Sequence, residues 1–316
     1  MIRHEGIALV AKPEGLTSFQ TLGPLKRSLG TRKLGHTGTL DKFASGLLVV
    51  LVGSLTRLGP WFTALDKVYE ATLRFGEETD SLDPEGEVVA RADPPSPESL
   101  ALALPSFMGE LMQAPPAYSA VHIGGERASD RARRGEVLDM RARPVTIHEL
   151  DLINYDGRDA RLRVRCSSGT YIRSLARDIA LSMGSRARLE TLVRTRVGPF
   201  RLDAARAPQD FSEGKGLVTL DAGAATSLGF DACLLSPKAL PAFSHGGTLR
   251  MDDLKPLAPF DPGHPSMKAA AKAVTEGARP LAIFSEEGDF LGVMEDSAGS
   301  LRYRFVCVPE TGGRGT

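Results

Sequence analysis

Strict alternation of apolar and polar side chains is the strongest structural signal in this sequence. Residues 67–76 read KVYEATLRFG, in which Tyr69, Ala71, Leu73 and Phe75 would share one face. Residues 160–166 repeat the pattern, with arginines at alternate positions between Leu162, Val164 and Cys166. Because successive side chains of a strand point to opposite faces, each segment predicts a half-buried β-strand.

Helical patterns lie between these strands. Thr17 and Gln20 have capping-box spacing, and the apolar face that follows would hold Phe19, Leu22, Leu25 and Leu29. Pro24 interrupts that pattern, so we expect a kink or a late helix start there. Ser96 and Pro97 suit the N-cap and first position of a second helix, which would run through Leu104. A third helix would bury Ile172, Leu175 and Ile179.

The region after Leu235 changes in character. Short strands are expected at 280–284 and 301–308, and one short Ala-rich helix is expected before them at Met267–Val274. The final residues, PETGGRGT, predict a disordered tail. These features indicate a small β-rich module. By contrast, residues 113–136 show no clean period and predict a long exposed excursion.

Several classes of protein are excluded by what the sequence lacks. It has no window of about 18 apolar residues, so we expect no membrane span, and its N-terminus does not resemble a signal peptide. The three cysteines are far apart, which favours free thiols in a reducing cytoplasm. Neither a phosphate-binding loop nor a dinucleotide fingerprint is present, and no histidines pair at metal spacing. We therefore predict no cofactor and no metal.

The formal net charge of +0 is an average over unlike regions. Residues 1–57 hold 8 basic and 3 acidic side chains, whereas residues 58–120 hold 3 and 11. Residues 121–210 hold 18 and 12, and all 18 basic residues there are arginines. Arginine suits phosphate recognition, so this region favours a polyanion-facing side, although a high-GC codon bias would also enrich arginine.

Three residues are candidates for chemistry, each with a simpler alternative. Asp41 ends a Gly/Thr-rich loop before an apolar run and could equally be a turn aspartate. Arg173 lies in the first turn of a predicted helix, where a cation opposes the helix dipole; it either reaches solvent or has an anionic partner. Tyr69 could be an ordinary core tyrosine.

Six segments in order resemble one family, the TruB family of bacterial tRNA pseudouridine-55 synthases. They are KPEGLTS (12–18), GHTGTLDKFASGLL (35–48), KVYEATLRFGEETDSLDPEGE (67–87), QAPPAYSA (113–120), GTYIRSLARDI (169–179) and LVRTRVGPF (192–200). The resemblance implies that uridine 55 in the T loop of tRNA is isomerised to pseudouridine. That reaction breaks the N-glycosidic bond, rotates the base and forms a C–C bond, without a cofactor.

The resemblance also implies roles for single residues. Asp41 matches the catalytic aspartate, Arg173 its ion-pair partner, and Tyr69 the tyrosine that stacks on the target base and accepts a proton. His36 matches the histidine that inserts into the T loop and keeps the target nucleotide flipped out. The remaining substrate-binding matches are Tyr171, Leu192, Lys12, Tyr118 and Arg127.

The implied architecture is α+β and has two parts. Residues 1–235 would form the pseudouridine-synthase fold, a long mixed and mainly antiparallel sheet with flanking helices and a thumb at about 113–136. Residues 236–316 would form a small PUA-like, RNA-binding β-barrel with the disordered tail. The implied partner is the T-arm stem-loop of tRNA, bound by a cytoplasmic monomer without a guide RNA or a membrane.

The sequence departs from the family pattern at a few positions. His122 and Ser129-Asp130 stand in the thumb where Lys and Ala-Tyr-type residues are common, and Val193-Arg194 stands where Arg-Arg is common. Ala11 replaces an Asp that often precedes Lys-Pro. These differences concern RNA affinity and not the chemistry.

Two other functions remain open from sequence. One is a tRNA-binding RNA chaperone with weak or lost catalysis, against which Asp41, Tyr69 and Arg173 argue. The other is a nucleoside hydrolase that uses Asp41; it would need a second carboxylic acid as proton donor. We also expect the acidic loops within 58–120 to face away from the phosphates.

Overall fold

The computed structural model describes residues 5–212, 215–259 and 279–307. The predicted helix Met267–Val274 and the predicted disordered tail from residue 309 lie outside these ranges. None of the helices within the described ranges has the length and apolar character needed to cross a membrane.

The strands are numbered in chain order. The first fourteen are β1 (Gly6–Lys12), β2 (Leu34–His36), β3 (Ser45–Val52), β4 (Lys67–Phe75), β5 (Glu77–Thr79), β6 (Val88–Arg91), β7 (Gly109–Gln113), β8 (His122–Ile123), β9 (Glu126–Arg127), β10 (Arg143–Tyr155), β11 (Asp159–Cys166), β12 (Ala187–Val197), β13 (Phe200–Arg201) and β14 (Leu217–Val218). The last five are β15 (Asp231–Leu235), β16 (Leu254–Ala258), β17 (Arg279–Phe284), β18 (Phe290–Ser297) and β19 (Ser300–Val306).

The α-helices are α1 (Ser18–Ser28), α2 (Gly59–Ala64), α3 (Pro97–Ala103), α4 (Ala128–Arg133), α5 (Ile172–Ser182), α6 (Ala222–Ser227) and α7 (Leu240–Ser244). Both halves of the predicted capping box form at Thr17 and Gln20. Helix α1 begins at Ser18 and continues through Pro24, so the late start that Pro24 suggested is wrong.

A large sheet forms the framework of the N-terminal part. Within the described residues its order is β14-β1-β3-β12-β4-β11-β10-β7, with β2 on β3 and β13 on β12. Strand β12 runs parallel to β3, and the other pairings along this order are antiparallel. The sheet is therefore mixed and mainly antiparallel, as predicted, and both alternating segments lie in it as β4 and β11.

Two helices cover this sheet with the residues that the sequence pattern selected. Helix α5 buries Ile172, Leu175 and Ile179 in one cluster with apolar residues of β4, β11 and β12. Helix α1 buries Leu22 and Leu25 against β1 and β3. Phe19 does not join that face, since it is 73% exposed. The buried helix faces fix the start of α5 and the loop before β3 at one end of the sheet.

The C-terminal part is a second sheet of order β16-β15-β17-β18-β19. In the described residues its end strands β16 and β19 do not pair with each other, so the sheet does not close into a barrel within those residues. The gap at 260–278 separates β16 from β17 in sequence. The sheet begins with Asp231, five residues before the predicted start of the module at 236.

The two sheets share one apolar cluster. Leu51 and Phe62 of the N-terminal part belong to the same buried cluster as Phe230, Phe284 and Val293. Trp61 and Phe230 lie with ring centroids 5.2 Å apart. Burial of this area from water stabilises the contact between the two parts.

Residues 113–136 contain more regular structure than expected. Strands β8 and β9 form a hairpin over Gly124 and Gly125, and α4 follows directly. Both glycines have positive φ, which suits a tight hairpin turn. We call residues 113–136 the thumb.

Candidate active site

Asp41 is held by a loop that is fixed from two sides. The hydroxyl of Ser18, at the start of α1, donates to the Leu40 carbonyl at 3.1 Å and accepts from the Leu40 N–H at 2.8 Å. On the other side, the ammonium of Lys12 donates to the carbonyls of Pro13 and Ala44. The Asp41 carboxylate itself remains 35% exposed. The loop thus presents one reachable carboxylate from a rigid base.

Arg173 is the partner of that carboxylate, as expected. Its Nη2 lies 2.9 Å from Asp41 Oδ1, although Arg173 sits at the start of α5. The same nitrogen donates to the Tyr118 carbonyl at 2.9 Å. The Arg173 side chain is only 4% exposed, so both contacts form away from solvent. Its unfavourable place near a helix N-terminus is thereby explained by its anionic partners.

A second carboxylate, that of Asp83, binds the other end of the same guanidinium. Arg173 Nη1 is 3.2 Å from Asp83 Oδ2 and donates to the Ser81 carbonyl at 2.7 Å. Burial raises the pKa of Asp83, while the Ser81 hydroxyl and the Arg173 charge oppose that rise. Arg173 is therefore a bridge between one exposed and one buried carboxylate.

The contact brings one acidic loop of the region 58–120 to the site. Asp83 touches Arg173, and Glu85 forms an ion pair of 2.7 Å with Lys42, the residue after Asp41. The expectation that the acidic loops face away from the phosphates stays a prediction, although the loop between β5 and β6 lies beside Asp41. This loop packs beside the start of α5, where the Arg173 charge requires a counterion.

Tyr69 and Leu192 lie in the wall beside Asp41. Both are buried and share a cluster with Leu40, the residue before Asp41. Burial raises the pKa of the Tyr69 phenol, and the negative charge of Asp41 adds to that rise. Tyr69 is thus a neutral phenol at pH 7, and it lies close enough to Asp41 for the carboxylate charge to affect its ionisation.

Tyr171 and His36 also lie at the site. Tyr171 is half-buried at the N-cap of α5, and burial raises the pKa of its phenol. The Arg173 charge opposes that rise, and the Asp41 charge adds to it. His36 ends β2, and burial lowers its pKa, with the Arg194 charge acting in the same direction. His36 is therefore a neutral ring at pH 7, which suits stacking between nucleotides.

The remaining predicted residues divide between the loop and the thumb. Lys12 is buried beneath the Asp41 loop, and burial lowers its pKa to about 8. Tyr118 lies at the thumb root, where its hydroxyl donates to Asp80 at 2.9 Å. Arg127 is exposed on β9, and within the described chain no hydrogen bond or ion pair joins its side chain to another predicted site residue. Among the described contacts, those of eight of the nine predicted residues place them at the site, and Arg127 is the exception.

The arginines of β11 pair with carboxylates of the neighbouring strands. Arg161 pairs with Glu70 of β4 at 2.5 Å, and Arg163 and Arg165 pair with Glu149 of β10 at 3.3 and 2.9 Å. These carboxylates already compensate the arginine charges. The interpretation of 121–210 as a polyanion-facing side stays a prediction, and for β11 it would require phosphates to compete with these carboxylates.

Sequence reasoning missed two residues of this site. Asp83 was counted only as part of an acidic loop, and Arg194 was noted only as half of an unusual Val-Arg pair. Arg194 is 2% exposed and contacts the Asp41 loop. The signal that could have found Arg194 is an arginine on the apolar face of a strand: in β12, Leu192, Arg194 and Val197 are all buried.

The fold of this chain is similar to that of chains in solved H/ACA RNP structures. A chain of an H/ACA RNP bound to a substrate RNA containing 2′-deoxyuridine matches with a TM-score of 0.67 and 20% identity, over 97% of this chain and 86% of the other. A chain of an archaeal box H/ACA sRNP matches with a TM-score of 0.67 and 22% identity, over 98% and 88%. The fold is thus the pseudouridine-synthase fold.

Sequence comparison gives the family. The family model described as TruB family pseudouridylate synthase (N terminal domain) matches residues 26–172. The tRNA pseudouridine synthase B of Corynebacterium efficiens is 38% identical over 98% of both chains. That of Borreliella burgdorferi is 46% identical over 69% of this chain and 78% of the relative. The chain belongs to the TruB family of pseudouridylate synthases.

Proposed function

We propose that this protein isomerises uridine 55 in the T loop of tRNA to pseudouridine. The observation that carries the proposal is the ion pair between Asp41 and Arg173 beside the buried phenol of Tyr69. The relatives at 38% and 46% identity are named tRNA pseudouridine synthase B, which supports tRNA as the substrate.

The site contains what this isomerisation requires. The bond between N1 of the base and C1′ of the ribose breaks, the base rotates, and a bond forms between C5 and C1′. C5 then loses its proton and N1 gains one, so the reaction is redox-neutral. Asp41 starts bond cleavage as the exposed carboxylate, and Tyr69 stacks on the base and takes part in the proton transfer from C5.

Arg173 gives Asp41 its orientation. A guanidinium fixed by two carbonyl oxygens and by Asp83 cannot follow Asp41 if the carboxylate moves. The carboxylate is thus held in one place relative to Tyr69 before the substrate arrives. Such pre-organisation is a large part of how enzymes lower activation barriers.

Access to the uridine requires base flipping, because stacking otherwise shields the glycosidic bond. His36, as a neutral ring at the edge of the site, fills the vacated space in the T loop. Tyr171 and Leu192 line the pocket, Lys12 supports the loop, and Tyr118 and Arg127 belong to the thumb that closes over the stem. We further propose that the protein acts as a cytoplasmic monomer and without a guide RNA.

The two competing functions fit the geometry less well. An RNA chaperone without catalysis has no need of a buried Arg173 between two carboxylates. A hydrolase would need a second carboxylic acid free to donate a proton. Asp83 is the nearest candidate, but it is 7% exposed and bound by Arg173 and Ser81.

The test is to map pseudouridine in a T-arm transcript after incubation with the protein, by carbodiimide adduct formation and primer extension. We expect one stop, at the position equivalent to uridine 55, and none in a transcript that carries cytidine there. Absence of a stop, or a stop only at another uridine, would reject the proposal.

A further inference from the structure

Arg194 lies at the centre of the site without belonging to the ion pair. It sits on β12, opposite Tyr69 of β4 and opposite Gly46 of β3 in the strand register. Arg194 as a whole is 2% exposed. Strand β12 therefore places a buried cation between the strand that carries Tyr69 and the strand that follows the Asp41 loop.

The contacts of this guanidinium are all neutral. Nε donates to the Leu47 carbonyl at 2.8 Å, Nη2 to the Gly38 carbonyl at 3.0 Å, and Nη1 to the Thr39 carbonyl at 3.4 Å. Among the ion pairs of residues 5–212, 215–259 and 279–307, none includes Arg194. A buried charge without a counterion lowers the free energy of unfolding. Its presence here therefore indicates a functional role for Arg194.

The backbone at this point is built around the arginine. Gly46 has φ +111°, and a Cβ there would lie 2.4 Å from the Arg194 carbonyl oxygen. Only glycine allows β3 and β12 to approach this closely. The approach sets Arg194 against Gly38 and Thr39, which lie three and two residues before Asp41.

The Arg194 charge also acts on the ionisable groups around it. It adds to the effect of burial in lowering the pKa values of Lys12, His36 and Lys67. For Tyr69 burial raises the pKa, and the Arg194 charge opposes that rise. Lys12 and His36 lie next to the Asp41 loop, and Lys67 lies on the same strand as Tyr69.

We propose that Arg194 is a positioning residue of the active site, which holds the loop that carries Asp41 and favours negative charge on the Tyr69 oxygen during proton transfer. This inference rests on the proposed isomerase function for its catalytic meaning. Arg194 acts through the loop and through Tyr69, and it differs in this from Arg173, which contacts the Asp41 carboxylate directly.

The other groups that face Tyr69 do not replace this effect. Asp41, from the loop, raises the phenol pKa through its negative charge. Cys166 of β11 is a neutral thiol at pH 7, since burial raises its pKa to about 12. Lys67, on the same strand as Tyr69, has a pKa of about 7 and is only partly charged at neutral pH. Arg194 is thus the one facing group whose positive charge persists at every working pH.

The first experiment measures the ionisation of the phenol at position 69 without RNA. A fluorinated tyrosine placed at position 69 ionises at lower pH than tyrosine, and its ¹⁹F chemical shift reports the ionisation. The comparison is between Arg194→Lys, which keeps the charge, and Arg194→Gln, which removes it. We expect Arg194→Gln to lower the ionisation constant at least about tenfold, and Arg194→Lys to change it by less than about threefold. An unchanged or higher constant in Arg194→Gln would overturn the electrostatic role.

The second experiment measures single-turnover rate and T-arm affinity in the same variants, after circular dichroism and thermal melting have shown that they are folded. We expect a rate loss of roughly 100-fold in Arg194→Gln with affinity within a few-fold, and partial recovery in Arg194→Lys. A normal rate in folded Arg194→Gln would overturn the proposal. If Arg194→Gln does not fold, a normal phenol titration and rate in Gly46→Ser, which displaces the Arg194 backbone, would overturn it instead. The ¹⁹F titration needs no substrate, so it succeeds or fails independently of the proposed reaction.

Discussion

Asp41 and Arg173 are 132 residues apart in the chain, and their side chains form an ion pair of 2.9 Å. The carboxylate is partly exposed, whereas the guanidinium is buried and fixed on its far side by Asp83. The exposed partner can therefore meet a substrate while the buried partner keeps its position. This division between a reachable and a fixed partner is the main feature of the site.

Arg173 should not be replaceable by lysine, whose ammonium lacks the planar guanidinium geometry. Lysine at position 173 could contact Asp41 or Asp83, but it could not bridge both with the geometry of a guanidinium. We predict that Arg173→Lys lowers the single-turnover rate by roughly 100-fold or more while T-arm affinity changes only a few-fold. The control is Arg161→Lys on the paired outer face of β11, which should keep the wild-type rate. An Arg173→Lys protein with wild-type turnover would refute the bridging role.

Buried Lys67 predicts an unusual pH dependence of stability. Burial lowers its pKa from 10.5 to about 7, while its ammonium donates to the carbonyls of Thr63 and Leu65. Between these two pH values the unfolded chain binds a proton that the folded chain does not, so the free energy of unfolding rises with pH.

The measurement is urea unfolding of the wild type and Lys67→Met at several pH values. Relative to Lys67→Met, the wild type should gain about 1 kcal/mol per pH unit between about pH 7.5 and 9. Exposed Lys255→Met is the matched control and should stay at a constant offset from the wild type. A wild type that gains no stability relative to Lys67→Met as pH rises, or loses some, would show that Lys67 is not buried in this way.

RNA binding should depend on the thumb and not on the outer face of β11. Binding of a T-arm transcript should weaken steeply as salt rises, because phosphate contacts release counterions. We predict that Arg127→Ala reduces the slope of log affinity against log salt by about 1, whereas Arg161→Ala, whose arginine already pairs with Glu70, leaves it unchanged. Equal slopes for wild type and Arg127→Ala would remove Arg127 from the RNA interface.

The close approach of β3 and β12 should be sensitive to one added methyl group. Gly46→Ala places a Cβ against the Arg194 backbone at a φ that alanine rarely adopts. We predict a loss of about 2 kcal/mol or more in the free energy of unfolding. Gly35→Ala on β2 is the control, because a Cβ there meets no atom within 4 Å. Equal stability of the two variants would contradict the close packing of these strands.

Sequence reasoning predicted the elements whose signals are local. The capping box at Thr17 and the alternation around Tyr69 and in 160–166 each depend on neighbouring residues, and the structure contains all three elements. The pairing of Asp41 with Arg173 came from the family resemblance, since the residues themselves left both simpler alternatives open.

Features that depend on register and on packing between distant segments were not predictable in the same way. Which carboxylate faces Arg161 follows from the pairing of β11 with β4, and the sequence does not state that pairing. Asp83 reaches Arg173 because a loop 90 residues away folds over the start of α5. Arg194 binds backbone carbonyls, which leave no mark in the sequence.

The central claim is that Asp41 starts the conversion of uridine to pseudouridine in a T arm. Tritium release from C5-labelled uridine in a T-arm transcript tests it most directly, because only the formation of the new C–C bond removes that hydrogen. We predict rapid release by the wild type and none above background by Asp41→Asn, with T-arm binding retained by the variant. No release by the wild type, or substantial release by Asp41→Asn, would contradict the account.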